Sequence, residues 1–266
     1  TDLLKSCPGI LKEFPVTDYI RDVLSYPSLQ NYTVLSPKLK KVFSGISANH
    51  DSRALSLYHK LALASFIERA TQWLQNSDLP PNILELYKQY FERVLDDFST
   101  QSDDYYSHEK DAFLKDLAVC SLRAVPVSRT WIAEISGLSR QFLLTGGIRQ
   151  TIQGLFFLLK LRGLAPFYQI HVVMRHIDGF NPQGRDECYL NLAELFKLNP
   201  RIRGMFAASW YYDPTLENIS PRLSYLRQKP EQNGAKIFRL ESTEADIQNA
   251  TAKSKTRRRL YENGDY

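Results

Sequence analysis

Apolar side chains recur at three- and four-residue spacing through the first half of the chain, the period of helices that bury one face. Leu55, Tyr58, Ala62, Phe66, Ala70 and Trp73 fall on one side of a long helix between Asp51 and Gln75. After a break at 76–81, Ile83, Leu86, Tyr87, Tyr90, Phe91, Val94, Leu95 and Phe98 mark a second helix with the same period. The short connection predicts an antiparallel pair. Pro8, Pro15, Pro27 and Pro37 divide the first fifty residues into short helices, with Thr17 and Ser36 as caps. Ser99 to His108 is polar and acidic, a surface loop. Phe113, Leu114, Leu117 and Cys120 then predict a third helix up to Pro126, and Trp131, Ile132, Ile135 and Leu138 a shorter one. Ile148 to Leu164 is the most apolar piece of the chain. It is interrupted by Arg149, Gln150, Gln153 and Lys160 and falls short of the roughly 20 apolar residues a bilayer span needs, so it reads as a buried core helix.

From Pro166 the period changes. Phe167 to Met174 is β-branched and aromatic, a strand. A polar, glycine-containing loop follows from Arg175 to Arg185, and then a helix from about Asp186 to Leu198. Met205 to Tyr212 reads as a buried strand closed by Asp213-Pro214, and Ser220-Pro221 opens a helix that ends by Pro230. Asn233-Gly234 turns into a short strand, Ala235 to Leu240, and Ser242 caps a last helix without a capping box, stopping at Asn263-Gly264. The expected fold is therefore α+β or α/β. An all-helical N-terminal half, 1–145, precedes a three-layer-like α/β half, 146–266, with a mixed central sheet and a buried helix at its start.

Composition narrows the partners. The 266 residues are 43% hydrophobic and 24% charged, ordinary for a soluble domain, and the formal net charge is +5. That balance favours anionic small ligands over a nucleic-acid coat. Cys7, Cys120 and Cys188 are scattered and odd in number, which argues against a disulfide framework. With no signal-like N-terminus or membrane span visible, a cytoplasmic protein is expected.

Chemistry concentrates in the loop after the first strand. His171, His176 and Asp178, with Asn181 and Arg185, supply a proton carrier near neutral pH and an arginine that can clamp an anion. The same Asp-Gly and Asn-Pro pairs also suit a capped surface turn, and His171 can serve as a satisfied core histidine. His171, His176, Asp178 and Glu187 match no metal-binding spacing, so no metal is expected. No nucleophile elbow or P-loop is present, and Cys188 lies on an amphipathic helix as a packing residue. Asp213 and the Ser220-Pro221-Arg222 helix start offer a second pocket, where free N–H groups would meet an anion. Lys253, Lys255, Arg257, Arg258 and Arg259 form a basic run, read as a solvated helix face that suits the C-terminal dipole or as an anion-binding surface.

Ser242 to Tyr266, with Asn249, Ala250, Lys253, Ser254, Arg258 and the run Leu260-Tyr261-Glu262-Asn263-Gly264, resembles the final helix and strand of the GNAT N-acetyltransferase family. There, a helix with an Asn or Ala face ends in a Leu-Tyr-Glu-x-x-Gly-Phe motif. The position of that family's Gly-rich pyrophosphate loop reads Glu217 to Arg222 in this chain. The resemblance implies acyl transfer from an acyl-CoA or acyl-carrier thioester, a co-substrate rather than a tightly bound cofactor, to a small-molecule amine. An acyl carrier protein would be the corresponding partner. It implies a donor site at Trp210, Tyr211, Ser220 and Arg222, with Asn249 and Tyr261 flanking the thioester, and a general base among His171, His176 and Asp178. The alternative is a non-enzymatic helical interaction protein with a basic anion- or nucleic-acid-binding surface.

Overall fold

The computed structural model describes residues 8–25, 31–50, 52–164, 166–252 and 254–264, and within them not the side chains of Pro8, Ser52, His176 and Ala245. The features expected at Cys7, Pro27, Lys253 and Tyr266 lie outside these residues. Helices dominate: α1 Pro8–Glu13, α2 Val16–Ser25, α3 Pro37–Asn49, α4 Ser52–Leu74, α5 Pro81–Thr100 and α6 Asp111–Cys120 precede the first strand. A mixed four-stranded sheet follows, of β1 Ala124–Pro126, β2 Trp131–Ser136, β3 Phe167–Val172 and β4 Met205–Phe206, in the order β1-β2-β3-β4. The architecture is α+β, helical first and sheet-containing after.

By its contacts the chain divides into two compact units. The first comprises 1–136 and 168–202, the second 137–167 and 203–266.

In the first unit, α4 buries Tyr58, Ala62, Phe66 and Ala70, and α5 buries Ile83, Leu86, Tyr87, Tyr90, Phe91 and Val94. Both faces follow the sequence period. Trp73 and Leu95 do not: they are 57% and 45% exposed. Asp97 is buried near the end of α5, bonded to Arg93. Ser36 caps α3 by accepting from the Leu39 N–H at 3.1 Å.

The segment from Trp131 to Ser136 is strand β2, not the expected helix. Its apolar residues matched a helical period, but Trp131, Ile132, Ala133 and Glu134 are all buried in succession, as in a strand covered on both faces. β1 pairs with it antiparallel, Ala124 opposite Glu134 and Pro126 opposite Ile132. The third helix likewise ends at Cys120 rather than near Pro126, because Leu122 takes a left-handed φ of 59° that turns the chain into β1. The Tyr87 hydroxyl donates to the Ala124 carbonyl at 3.1 Å, fixing α5 to β1. Helix α9, Pro182–Leu198, is capped by Asn181, which accepts from the Gly184 N–H, and buries Cys188, Leu192 and Leu195. Its Arg185 guanidinium lies 4.3 Å from the Trp131 ring centre, and Asn191 donates to the Val127 carbonyl at 2.9 Å.

The second unit holds α7 Gln141–Leu144, α8 Gly147–Leu161, β4, α10 Leu216–Ile219, α11 Tyr225–Gln232, α12 Glu244–Thr251 and α13 Lys255–Glu262. Gly154 lets α7 lie against α8: a Cβ there would come within 2.6 Å of Leu143 and 2.9 Å of Phe142. The apolar run was expected to be a buried helix, yet Gly154 alone of α8 is fully buried.

Four further expectations fail here. Met205 to Tyr212 is a strand only at Met205–Phe206, and Trp210–Tyr212 coils into a 3-10 turn. Ala235 to Leu240 forms no ladder; the Gln150 side chain satisfies its backbone instead, donating to the Arg239 carbonyl and accepting from the Arg239 N–H, each at 2.8 Å. The single last helix is two. Thr243, not Ser242, caps α12 in a capping box with Asp246, and Ser254 then caps α13 by accepting from the Arg257 N–H. The helix expected from Ser220 is also divided, into the 3-10 turn Pro221–Leu223 and α11, which runs past Pro230.

Candidate acid–base site

Glu134 is the centre of a polar cluster in the first unit. It sits in the middle of β2, 3% exposed, where a carboxylate needs hydrogen-bond partners for each oxygen. It has them. The Tyr32 N–H donates to Oε2 at 2.8 Å, and Nε2 of His171, on β3, lies 2.8 Å from Oε1. A carboxylate only accepts, so in the neutral imidazole Nε2 carries the proton and Nδ1 keeps the lone pair. The Tyr32 ring stands edge-on to the imidazole with centres 4.7 Å apart and fixes its plane.

Asp111, in the first turn of α6, completes the cluster. It accepts from the Tyr32 hydroxyl and from the Lys115 ammonium, the latter at 2.6 Å. Lys115 also donates to the Val172 carbonyl at 2.9 Å, which pins β3 one residue beyond His171. Burial alone would raise the Asp111 carboxyl. The Lys115 charge, the hydrogen bonds from Lys115 and Tyr32, and the nearby His171 outweigh it and hold the group below the usual carboxylate range. Burial, followed by the Asp111 charge, drives the Tyr32 phenol far above its ordinary value, so it stays a donor at any physiological pH. The arrangement is an imidazole held in one tautomer by a buried carboxylate, the geometry of a general base.

A second buried network lies on α5 and α6. Arg93 bridges Asp97 at 3.0 Å and Asp116 at 2.6 Å, and the Tyr90 hydroxyl donates to Asp116 at 2.9 Å. Arg175 pairs with Asp97 and lies 4.2 Å from the Tyr105 ring centre. Every carboxylate here is matched by a guanidinium, so this network fastens the loop after β3 to α5.

Of the other expected base residues, none of the described contacts joins Asp178 to Glu134. Asp178 is on the surface, 3.4 Å from the exposed Arg129. The side chain of His176 is outside the described set. Arg185, expected as an anion clamp, is buried between Trp131 and Tyr189, donating to the Tyr189 hydroxyl at 2.9 Å. Burial pushes the Cys188 thiol up to about 12 and raises that of Cys120, so neither supplies a thiolate near neutral pH.

In the second unit the expected donor residues meet only in part. Arg257, from the basic run, is buried rather than solvated. Its guanidinium lies 4.6 Å from the Trp210 ring centre, donates to the Ser220 hydroxyl at 3.2 Å and to the Ala250 carbonyl at 2.5 Å. Trp210, Tyr211 and Ser220 thus form one cluster around it, Tyr211 edge-on to Trp210 at 5.7 Å. Arg222, Asn249 and Tyr261 are exposed, and none of the described contacts joins them to this cluster. Lys255, Arg258 and Arg259 remain on the surface.

Three residues of the Glu134 cluster escaped the sequence reading. Glu134 was hidden by assigning its strand to a helix; a lone carboxylate inside an apolar run was the available signal. Asp111 and Lys115 stand four residues apart on one helix face, a spacing that any surface ion pair shares, so nothing in the sequence set them apart. Among the described residues, no helix is long and apolar enough to cross a membrane. Comparison of the chain with protein-family models, curated proteins and solved structures finds no match.

Proposed function

We propose that the protein transfers an acyl group from a thioester to an amine, with His171 as the general base. The observation that carries this reading is the 2.8 Å contact between His171 Nε2 and the buried Glu134 carboxylate. It leaves Nδ1 as the proton acceptor. The resemblance of the last 25 residues to GNAT enzymes supplies the reaction class. In the proposed step the amine nitrogen attacks the thioester carbonyl, a C–N bond forms and the C–S bond breaks. His171 takes the proton released by the amine and returns it to the departing thiolate, giving an amide and a free thiol. Glu134 orients the imidazole and stabilises the imidazolium while the proton is on it.

The test is thiol release by the purified full chain, over a panel of acyl-CoA and acyl-pantetheine donors and small amine acceptors. Amine-dependent release that falls about 100-fold or more in His171→Gln, with an unchanged melting temperature, is the expected result. Release that is absent for every donor, or unaffected by that substitution, sinks the proposal. Salt-sensitive stabilisation by short RNA with no thiol release would establish the binding-protein alternative instead.

A further inference from the structure

The helix α8 presents a face with no counterpart in the proposed chemistry. Ile148, Ile152, Leu155, Phe156 and Leu159 are at least half exposed, with Ile148 at 81%, Leu159 at 76% and Phe156 at 69%. At about 100° per residue these five side chains share an arc of roughly 100°. Leu144, one turn earlier on α7, is 79% exposed. The opposite face of α8 is satisfied within the unit: Phe157 packs on Phe238, Gly154 lies against Phe142 and Leu143, and Gln150 clamps Arg239. The exposed stripe therefore stays outward while the helix keeps its fold.

What covers this stripe is indicated by charge. Arg149 and Lys160 follow next around the helix at its edge, and both are exposed, as are Arg140 and Arg162 beyond its two ends. Between Glu134 and Asp178 the sequence has no acidic residue. The asymmetry extends to the whole unit, which carries 15 lysines and arginines against 8 acidic residues, a net +7; the other unit has 19 against 21, a net −2. A helix with a wide apolar stripe, large aliphatic and aromatic side chains and cations as the only charged groups along it suits the plane of an anionic bilayer. The apolar side chains enter the acyl boundary and the cations meet lipid phosphates. A protein partner or a second copy of this chain would need acidic groups to match that rim, and this face has none to offer a copy of itself.

We infer that α8 docks the protein onto anionic phospholipid surfaces, lying in the interface rather than spanning it. The test is vesicle co-sedimentation of the full chain, using phosphatidylcholine alone and an equimolar phosphatidylcholine–phosphatidylglycerol mixture. The mixture is expected to bind at low salt and release at high salt, and phosphatidylcholine alone to bind far more weakly. Phe156→Glu should weaken binding at least about tenfold, from the loss of a large inserted apolar group. Lys160→Gln should weaken it about fivefold, as for one cation near a charged membrane. Both variants should keep the parent melting temperature, since both sites face solvent. Equal sedimentation with the two lipid mixtures, no sedimentation with either, or a concentration-dependent dimer abolished by Phe156→Glu would overturn the inference. So would short RNA binding that depends on Lys160 while vesicles stay unbound.

Discussion

Acidification should destabilise the first unit through one buried histidine well above the pH at which carboxylates titrate. His59 on α4 has no exposed surface and sits among Phe43, Phe113 and Tyr19, with ring centres 4.6, 4.5 and 6.0 Å away. Its Nδ1 is 3.4 Å from the Tyr19 hydroxyl, and Nε2 has no hydrogen-bond partner among the described residues. Burial, and then the neighbouring His108 imidazole 6.4 Å away, lowers its pKa from 6.5 to about 3. The folded state therefore holds the ring neutral, while the unfolded chain protonates it below 6.5. This contribution to stability is whole above pH 6.5 and is lost progressively as the pH falls toward 3. At about 1.4 kcal/mol per pH unit, the loss between pH 6.5 and 5 is roughly 2 kcal/mol. His108, half-buried, is lowered too, by burial ahead of the opposing Glu109 and reinforcing Lys40 charges, and adds in the same direction. Asp103 and Asp111, both held below the usual carboxylate range, lose their share only at lower pH. Urea unfolding of the parent and His59→Leu at pH 7, 6 and 5, followed by tryptophan fluorescence, isolates the effect. The parent should lose about 2 kcal/mol more than the variant across that range. Equal losses would refute the assignment of a neutral buried ring.

Two other substitutions probe the packing. Asp116→Ala leaves Arg93 and the Tyr90 hydroxyl without their shared acceptor in the interior. A loss of about 3–5 kcal/mol in urea unfolding is expected, and a loss below 1 kcal/mol would show the network to be dispensable. Gly154→Ala drives a methyl into Leu143 and Phe142. It should cost about 1–3 kcal/mol and raise proteolysis of the α7–α8 hairpin, whereas unchanged proteolysis would place those two helices further apart than described.

The long helices were legible because α4 and α5 repeat a strong apolar period over many turns, which tertiary contacts reinforce. Strand β2 was not. A strand buried on both faces loses its alternation, and Trp131, Ile132, Ile135 and Leu138 happened to share a helical spacing. Past Met205 the expected strands had the right composition, yet side chains took over the backbone's bonding, as Gln150 does for Arg239. The shift of the cap from Ser242 to Thr243 is a one-residue choice, settled by Asp246 standing three residues after Thr243. In the candidate site, His171 was visible from residue type and strand position. Its orienting partner was not, because Glu134 is 37 residues away in sequence and only the β2–β3 neighbourhood joins them. The burial of Arg257 within a run of cations was hidden for a related reason: its partners Trp210 and Ser220 precede it by dozens of residues.

The claim that Glu134 makes a base of His171 rests on which imidazole nitrogen holds the proton. Long-range proton–nitrogen NMR of the histidine rings at alkaline pH, with His171 assigned by comparison with His171→Gln, reads this directly. The account predicts a protonated Nε2 and an unprotonated Nδ1 in the parent, with that preference lost in Glu134→Ala. A proton on Nδ1 in the parent would contradict it, since the carboxylate would then not be holding the ring as a proton acceptor.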